Sequence, residues 1–241
     1  MSNPGIFLSA EWRHLAMLNY EVDPAILARR VPAGTELDLF QGRALVSLVG
    51  FMFLNTRVLG FPVPFHRNFE ELNLRFYIKR RHPDGDRRAV AFVKEIVPRY
   101  FIAFVARTIY NENYVSLPMR NMLNASASVT SAMYEWRACG RWQKLGVTCQ
   151  GGASIPPKGS EAEFITEHYW GYAAQRRGGT VEYQVAHPQW RTWTAREYVL
   201  DADVKELYGE EFYPFLKKAP VSALLAEGSA VTVSKGIRLA R

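Results

Sequence analysis

Phe69-Glu70-Glu71-Leu72-Asn73-Leu74-Arg75-Phe76-Tyr77-Ile78 alternates with period two, the repeat of a β-strand. Leu72, Leu74, Phe76 and Ile78 fall on one face, and Glu71, Asn73, Arg75 and Tyr77 on the other. The second face sets a carboxylate, an amide, a guanidinium and a phenol in a row, with alternate residues about 6.5 Å apart. Such a row suits a small polar ligand if it is enclosed, and is a wetted surface if it is not. The sequence leaves both readings open.

The residues that follow read as a hairpin. His82-Pro83-Asp84-Gly85-Asp86 carries a turn signal with Asp-Gly at its centre. Ala89-Val90-Ala91-Phe92-Val93-Lys94-Glu95-Ile96-Val97 is a return strand rich in β-branched and aromatic residues. A three-residue loop would set Arg75 opposite Glu95 and Glu71 opposite Arg99; a two-residue loop would slip the register by one and lose both pairs. Matching opposite charges favours the first register by roughly 0.2–1 kcal/mol per pair.

The chain's 241 residues are 48% hydrophobic, which argues against disorder and supplies a sizeable core. A net charge of +7 and a pI near 9.5 admit an anionic partner without naming one. The two cysteines, Cys139 and Cys149, form no Cys-x-x-Cys motif, and the count fits a reduced compartment. The start, Met1-Ser2-Asn3-Pro4-Gly5, lacks the charged and apolar regions of a signal peptide. No apolar run reaches the ~18 residues of a membrane span. A cytoplasmic protein is expected.

Many strands and few, short helices point to an α+β fold: one domain, residues 1–241, built on a mostly antiparallel, curved sheet or β-cone. Asp23-Pro24 should cap a short helix. Residues 43–58 read as one or two strands with Gly50 as a bend, and residues 60–66 as an apolar loop packed down over something. Helical spacing of Ile102, Val105, Ala106 and Ile109 predicts a helix over residues 99–111. Strands are expected at 124–139 and 142–151, a capped helix from Ser160, a hairpin at 168–186 and a strand at 190–199. One or two helices follow within 201–216, and a strand pair turning at Glu227-Gly228 ends the chain.

Trp12-Arg13-His14-Leu15-Ala16-Met17-Leu18-Asn19-Tyr20, Val46-Ser47-Leu48-Val49-Gly50-Phe51, the Phe69–Arg75 stretch and Glu167-His168-Tyr169-Trp170-Gly171-Tyr172 resemble the YqjF-like family of uncharacterised bacterial proteins. That family is in turn similar to acetoacetate decarboxylase, so the resemblance implies a curved antiparallel β-cone with peripheral helices. Phe69-Glu70-Glu71 is similar to the aromatic-x-Glu strand of that enzyme, which aligns Glu71 with an active-site carboxylate. Lys94-Glu95-Ile96 is similar to the Arg-Glu-Ile that leads into its catalytic lysine pair. The next residues here, Val97-Pro98-Arg99-Tyr100-Phe101-Ile102, contain no lysine. Arginine stays protonated and cannot form a Schiff base. Glu21 stands where the enzyme has an arginine. Schiff-base decarboxylation is therefore not expected.

The candidate site comprises Glu71 and Glu95 as acid–base or ligand-orienting residues, with Asn73, Arg75, Arg99 and Tyr100 as ligand contacts. His66, after the Pro-Phe loop, is placed with them, as are Arg13 and His14 on the first strand. Histidine suits proton transfer near neutral pH, but more often it is a hydrogen-bonded structural residue. His168, at a helix-to-strand junction, reads as capping or packing. Scattered histidines and the lack of His-Glu-x-x-His predict no metal and no cofactor. The function expected is binding, and conceivably turnover, of a small organic acid or carbonyl compound. The alternative is a non-catalytic binding or scaffold protein. Nucleic-acid binding is weaker, because the basic residues are dispersed and Lys79-Arg80-Arg81 suits a solvated hairpin tip.

Overall fold

The computed structural model describes residues 5–63, 66–98, 114–126, 129–175 and 178–239. In chain order its elements are β1 (Ile6–Val22), α1 (Pro24–Ala28), β2 (Glu36–Leu37), β3 (Ala44–Val58), β4 (Phe61–Pro62), β5 (Phe69–Arg80), β6 (Arg87–Val97) and β7 (Tyr114–Ser116). Then come β8 (Met119–Ala125), β9 (Val129–Ala138), β10 (Arg141–Gln150), α2 (Glu161–Thr166), β11 (Trp170–Ala174), β12 (Thr180–Ala186) and β13 (Thr192–Asp201). The last are α3 (Val204–Tyr208), α4 (Tyr213–Leu216), β14 (Ser222–Ser234) and β15 (Ile237–Arg238). The expected helix over 99–111 lies outside the described residues.

The fold is mostly sheet, and nearly all its pairings are antiparallel. Hydrogen-bonded neighbours run β12-β11-β6-β5-β3-β1-β14. β14 then pairs back onto β12 through Val185↔Val233 and Ala186↔Thr232, which closes these strands into a barrel. β11 meets β6 in parallel. β13, β10, β9 and β8 continue from β14 and fold over the outside.

This closure makes two cores from one alternation. Leu72, Leu74, Phe76 and Ile78 of β5 point outward, into a core shared with Tyr134 and Trp136 of β9, Leu145 and Val147 of β10, and Phe212. The opposite face of β5 looks into the barrel, with Met17, Val49, Phe51, Phe69 and Tyr77. β1 supplies the interior with both parities: Leu8, Ala10 and Trp12 before a register break at Arg13/Ala16, then Leu15 and Met17 after it. That β-bulge explains the mixed faces of the first strand.

Local chemistry fixes several element ends. The Asp23 carboxylate accepts from Ala25 N at 2.8 Å and Pro24 opens α1. Cys139 and Gly140, both at positive φ (51° and 76°), form the two-residue turn between β9 and β10, a conformation matched to strand twist.

Three expectations are corrected. Ala44–Val58 forms one strand rather than two, and Gly50 within it makes room: a Cβ there would lie 2.6 Å from the Tyr134 ring. β14 is one strand through Gly228 rather than a pair turning there. Gly228 sits at φ +77° opposite Arg13, where a Cβ would come within 1.9 Å of Trp12 O. In the 60–66 loop, Phe61 is exposed rather than packed down.

Candidate functional site

The polar face of β5 is enclosed. Glu71, Asn73 and Arg75, with Glu95 of β6, are 3%, 2%, 8% and 1% exposed. They line a cavity of about 160 Å³ inside the barrel. An apolar cavity of about 150 Å³ is large enough for benzene, so this one has room for a molecule of comparable size. Aromatic rings form much of its apolar wall. Trp12 meets Phe51 and Phe53 edge-on at 5.5 and 5.7 Å, and Phe53 stacks on Phe69 at 4.7 Å. Tyr183 reaches the wall because Gly171, its cross-strand partner, has no side chain; a Cβ there would lie 2.2 Å from the Tyr183 ring.

The β5–β6 register differs from the one that charge matching favoured. The last ladder pair is Arg80↔Arg87, so the hairpin loop spans residues 81–86. Pro83 has no N–H to extend the ladder, and Gly85 N closes the turn on His82 O at 3.0 Å. A bulge follows, pairing Arg75 with Phe92 and Leu74 with Lys94. Glu95 therefore faces Asn73, not Arg75. The expected Glu71–Arg99 pair, and with it Arg99 and Tyr100, lies outside the described residues.

Asn73 Nδ2 donates to Glu71 Oε1 at 3.0 Å, and the Tyr114 hydroxyl reaches Glu71 Oε2 at 3.5 Å. Arg75 forms no ion pair with a carboxylate among the described residues. Its Nη2 donates to Ile165 O at 3.4 Å and approaches Met17 Sδ at 3.8 Å, its Cζ lies 5.9 Å from the Tyr77 ring, and its Nε has no hydrogen-bond partner among the described residues. A buried guanidinium left this way carries a desolvation penalty of several kcal/mol.

Arg75 is not alone. Asn73 Oδ1, His168 Nδ1, Trp12 Nε1 and Thr56 Oγ1 are likewise buried without a hydrogen-bond partner among the described residues, and all five residues line the cavity. Buried polar atoms are ordinarily satisfied, so a group of exceptions around one void calls for an explanation.

His66 lines the cavity, as expected. Arg13 and His14 do not, which corrects their placement with the site. The bulge turns Arg13 aside, where it donates to Glu11 at 2.8 Å and to Gly228 O at 3.2 Å. His14, at φ 56°, sits in the bulge itself, and its carbonyl accepts from the Tyr134 hydroxyl at 2.8 Å.

His168 is brought to the cavity by α2. Ser160 Oγ caps that helix by accepting from Glu163 N at 3.2 Å, and the helix lays Ile165, Thr166 and then His168 along the wall. The His168 ring packs against Tyr77 at 4.7 Å and Phe164 at 5.1 Å. Its Nε2 lies 3.3 Å from Asp38 Oδ2, which also accepts from Arg88 Nε at 2.9 Å. Burial pushes the His168 imidazolium down to a pKa of about 4; the Asp38 hydrogen bond opposes this, and the charges of Arg88 and Arg75 add to it. For Asp38, burial is the largest influence and raises the carboxyl, but the hydrogen bonds from His168 and Arg88 outweigh it and hold the group below its ordinary range. Sequence reasoning gave His168 a packing role, because nothing near it in the chain announces Asp38, 130 positions away.

Lys94 points away from the cavity. Its amine donates to Leu207 O at the end of α3 and sits over the Tyr208 ring at 5.9 Å. No lysine lines the cavity among the described residues. No helix among the described residues is long and apolar enough to cross a membrane.

Comparison with known proteins places this geometry. Uncharacterized protein YqjF of Bacillus subtilis (strain 168) is 31% identical over 125 residues, 51% of this chain and 50% of that protein, so the match spans about half of each. Acetoacetate decarboxylase from Legionella pneumophila superposes with a TM-score of 0.63 at 12% identity, over 97% of this chain and 87% of the enzyme. The enduracididine biosynthesis enzyme MppR, solved in complex with pyruvate, gives 0.67 at 14% identity over 100% and 92%. At these identities the likeness is one of fold. The model of DUF2071, an uncharacterized conserved protein family, matches residues 9–230. The chain belongs to the DUF2071 family and has the fold of the acetoacetate decarboxylase-like proteins.

Proposed function

We propose that the barrel cavity binds a small organic acid, with Arg75 clamping its carboxylate. The observation that carries this reading is the buried Arg75 guanidinium, which has no carboxylate partner among the described residues and sits beside a void. An anion supplies the missing charge and accepts from Nε and Nη in the planar fork geometry that guanidinium favours. The aromatic wall covers the ligand's apolar part. Glu71 and Glu95 face the same space and serve as ligand-orienting or proton-transferring groups. Lys94 is directed elsewhere, so the reading involves no Schiff base. MppR binds pyruvate on the same fold, which supports a small-acid ligand here without naming it.

The test is a thermal-shift and calorimetric screen of small carboxylic acids on the native protein and on Arg75→Met. A ligand at 100 times its dissociation constant should stabilise the native protein by about 2.7 kcal/mol and leave the variant unmoved. NMR of the incubated acids reports turnover in the same samples, and loss of turnover in Glu71→Gln or Glu95→Gln would assign the proton-transfer role. Equal shifts in native and variant protein would remove Arg75 from the site.

A further inference from the structure

The acid-binding reading names the anionic end of the ligand; resting on that reading, the hydrogen-bond polarity of the cavity names the group beside it. Two of the partnerless atoms are acceptors, and in each case a carboxylate fixes the assignment. Asn73 donates one N–H to Glu71 Oε1, an acceptor when the carboxylate is ionised, which sets the amide orientation and leaves the oxygen Oδ1 as the remaining atom. His168 Nε2 faces Asp38 Oδ2, also an acceptor when ionised, so Nε2 carries the ring proton and Nδ1 is left with a lone pair. The ring is neutral near pH 7, which its burial enforces.

Both acceptors stand near the clamp. Asn73 is two residues from Arg75 on the same face of β5. His168 is linked to Arg75 through Tyr77, whose ring lies 4.7 Å from the imidazole and 5.9 Å from Arg75 Cζ. A ketone placed against these atoms would set lone pair against lone pair. A hydroxyl or amine would give its hydrogen to them.

We infer that the ligand carries a hydrogen-bond donor next to its carboxylate, as a hydroxy acid or an amino acid does, and that Asn73 and His168 select it over the corresponding keto acid. A site that hydrogen-bonds a substrate O–H or N–H discriminates strongly against analogues without one, because its own buried groups are then left unpaired. Asp38 acts at one remove, as the residue that positions His168 and sets its tautomer.

The experiment compares matched triplets by calorimetry: lactate, alanine and pyruvate, then mandelate, phenylglycine and phenylglyoxylate. The hydroxy or amino member of a triplet should bind at least tenfold more tightly than the keto member. Preference for the hydroxy acid assigns a neutral donor to Asn73 and His168, and preference for the amino acid assigns them an ammonium, with the Glu71 and Glu95 carboxylates nearby to favour its charge. His168→Phe keeps an aromatic ring against Tyr77 and Phe164 and should shrink that ratio while leaving binding dependent on Arg75. Nitrogen-15 NMR of the native protein's His168 ring should show Nε2 protonated and Nδ1 bare, with the Nδ1 resonance moving only on addition of the donor-bearing acid. A keto acid that binds as tightly as its partners, or a ring protonated at Nδ1, would overturn this inference while leaving the acid site standing. No binding by any member would overturn the acid-binding reading as well.

Discussion

Replacing Arg75 with methionine separates a ligand clamp from a structural charge, because the two give effects of opposite sign. The guanidinium has lost hydration worth several kcal/mol. Against that loss stand a 3.4 Å hydrogen bond to Ile165 O, a 3.8 Å contact with Met17 Sδ and a 5.9 Å approach to the Tyr77 ring. At these lengths each contact returns about 0.5–2 kcal/mol, which leaves part of that loss uncompensated. Methionine matches the length of the side chain's apolar stem and sits among Met17, Ile165 and Tyr77. The ligand-free variant is therefore expected to be more stable than the native protein by roughly 1–4 kcal/mol, the range seen when buried ionic groups give way to well-packed apolar residues. For a chain of this size each kcal/mol raises Tm by roughly 2–4 °C. Urea unfolding at pH 7 should show a higher midpoint with an unchanged m-value. If the guanidinium were half of a structural ion pair, its removal would instead lower stability by about 3–5 kcal/mol. A loss of that size would refute the clamp.

Three further outcomes follow from particular contacts. The His168 pKa falls from 6.5 free to about 4 when folded, so the unfolded chain binds the extra proton first; stability is complete above about pH 6.5 and falls as pH drops toward 4, by about 3 kcal/mol, with the Asp38 carboxylate extending the loss at lower pH. Unfolding free energies measured across pH 4–7 should show that slope, and His168→Phe should flatten it. Gly171→Ala drives a methyl into the Tyr183 ring, which is expected to cost about 1–3 kcal/mol and to narrow the cavity; Tm and acid affinity should fall together. Ser47 Oγ donates to Asn19 Oδ1 at 2.6 Å, so the Tyr77 hydroxyl 2.5 Å away is the donor to Ser47; Tyr77→Phe should lower stability by about 1 kcal/mol in urea without changing the binding of acids.

The alternation of residues 69–78 was enough to predict a strand with an apolar face and a polar one, because side-chain direction on a strand is a local property of period two. Asp23-Pro24 and Ser160 marked helix starts for the same reason: a cap is made within four residues of chain. The family motifs, being contiguous, were legible too. Register was not, since it depends on where Pro83 lets the ladder begin and on a bulge at Leu74/Arg75 that no composition rule announces. Nor was the loss of Arg13 and His14 from the site, which a second bulge decides by changing the parity of β1. Whether the polar face is wetted or enclosed rests on β14 closing onto β12, far from β5 in the chain. The pairing of His168 with Asp38 joins residues 130 positions apart. The sequence by itself determined which groups share a face, because that is set by neighbouring bonds. Tertiary structure alone decided that the face is enclosed and which groups of the described residues meet there, because burial and pairing belong to segments the chain brings together only when the barrel closes.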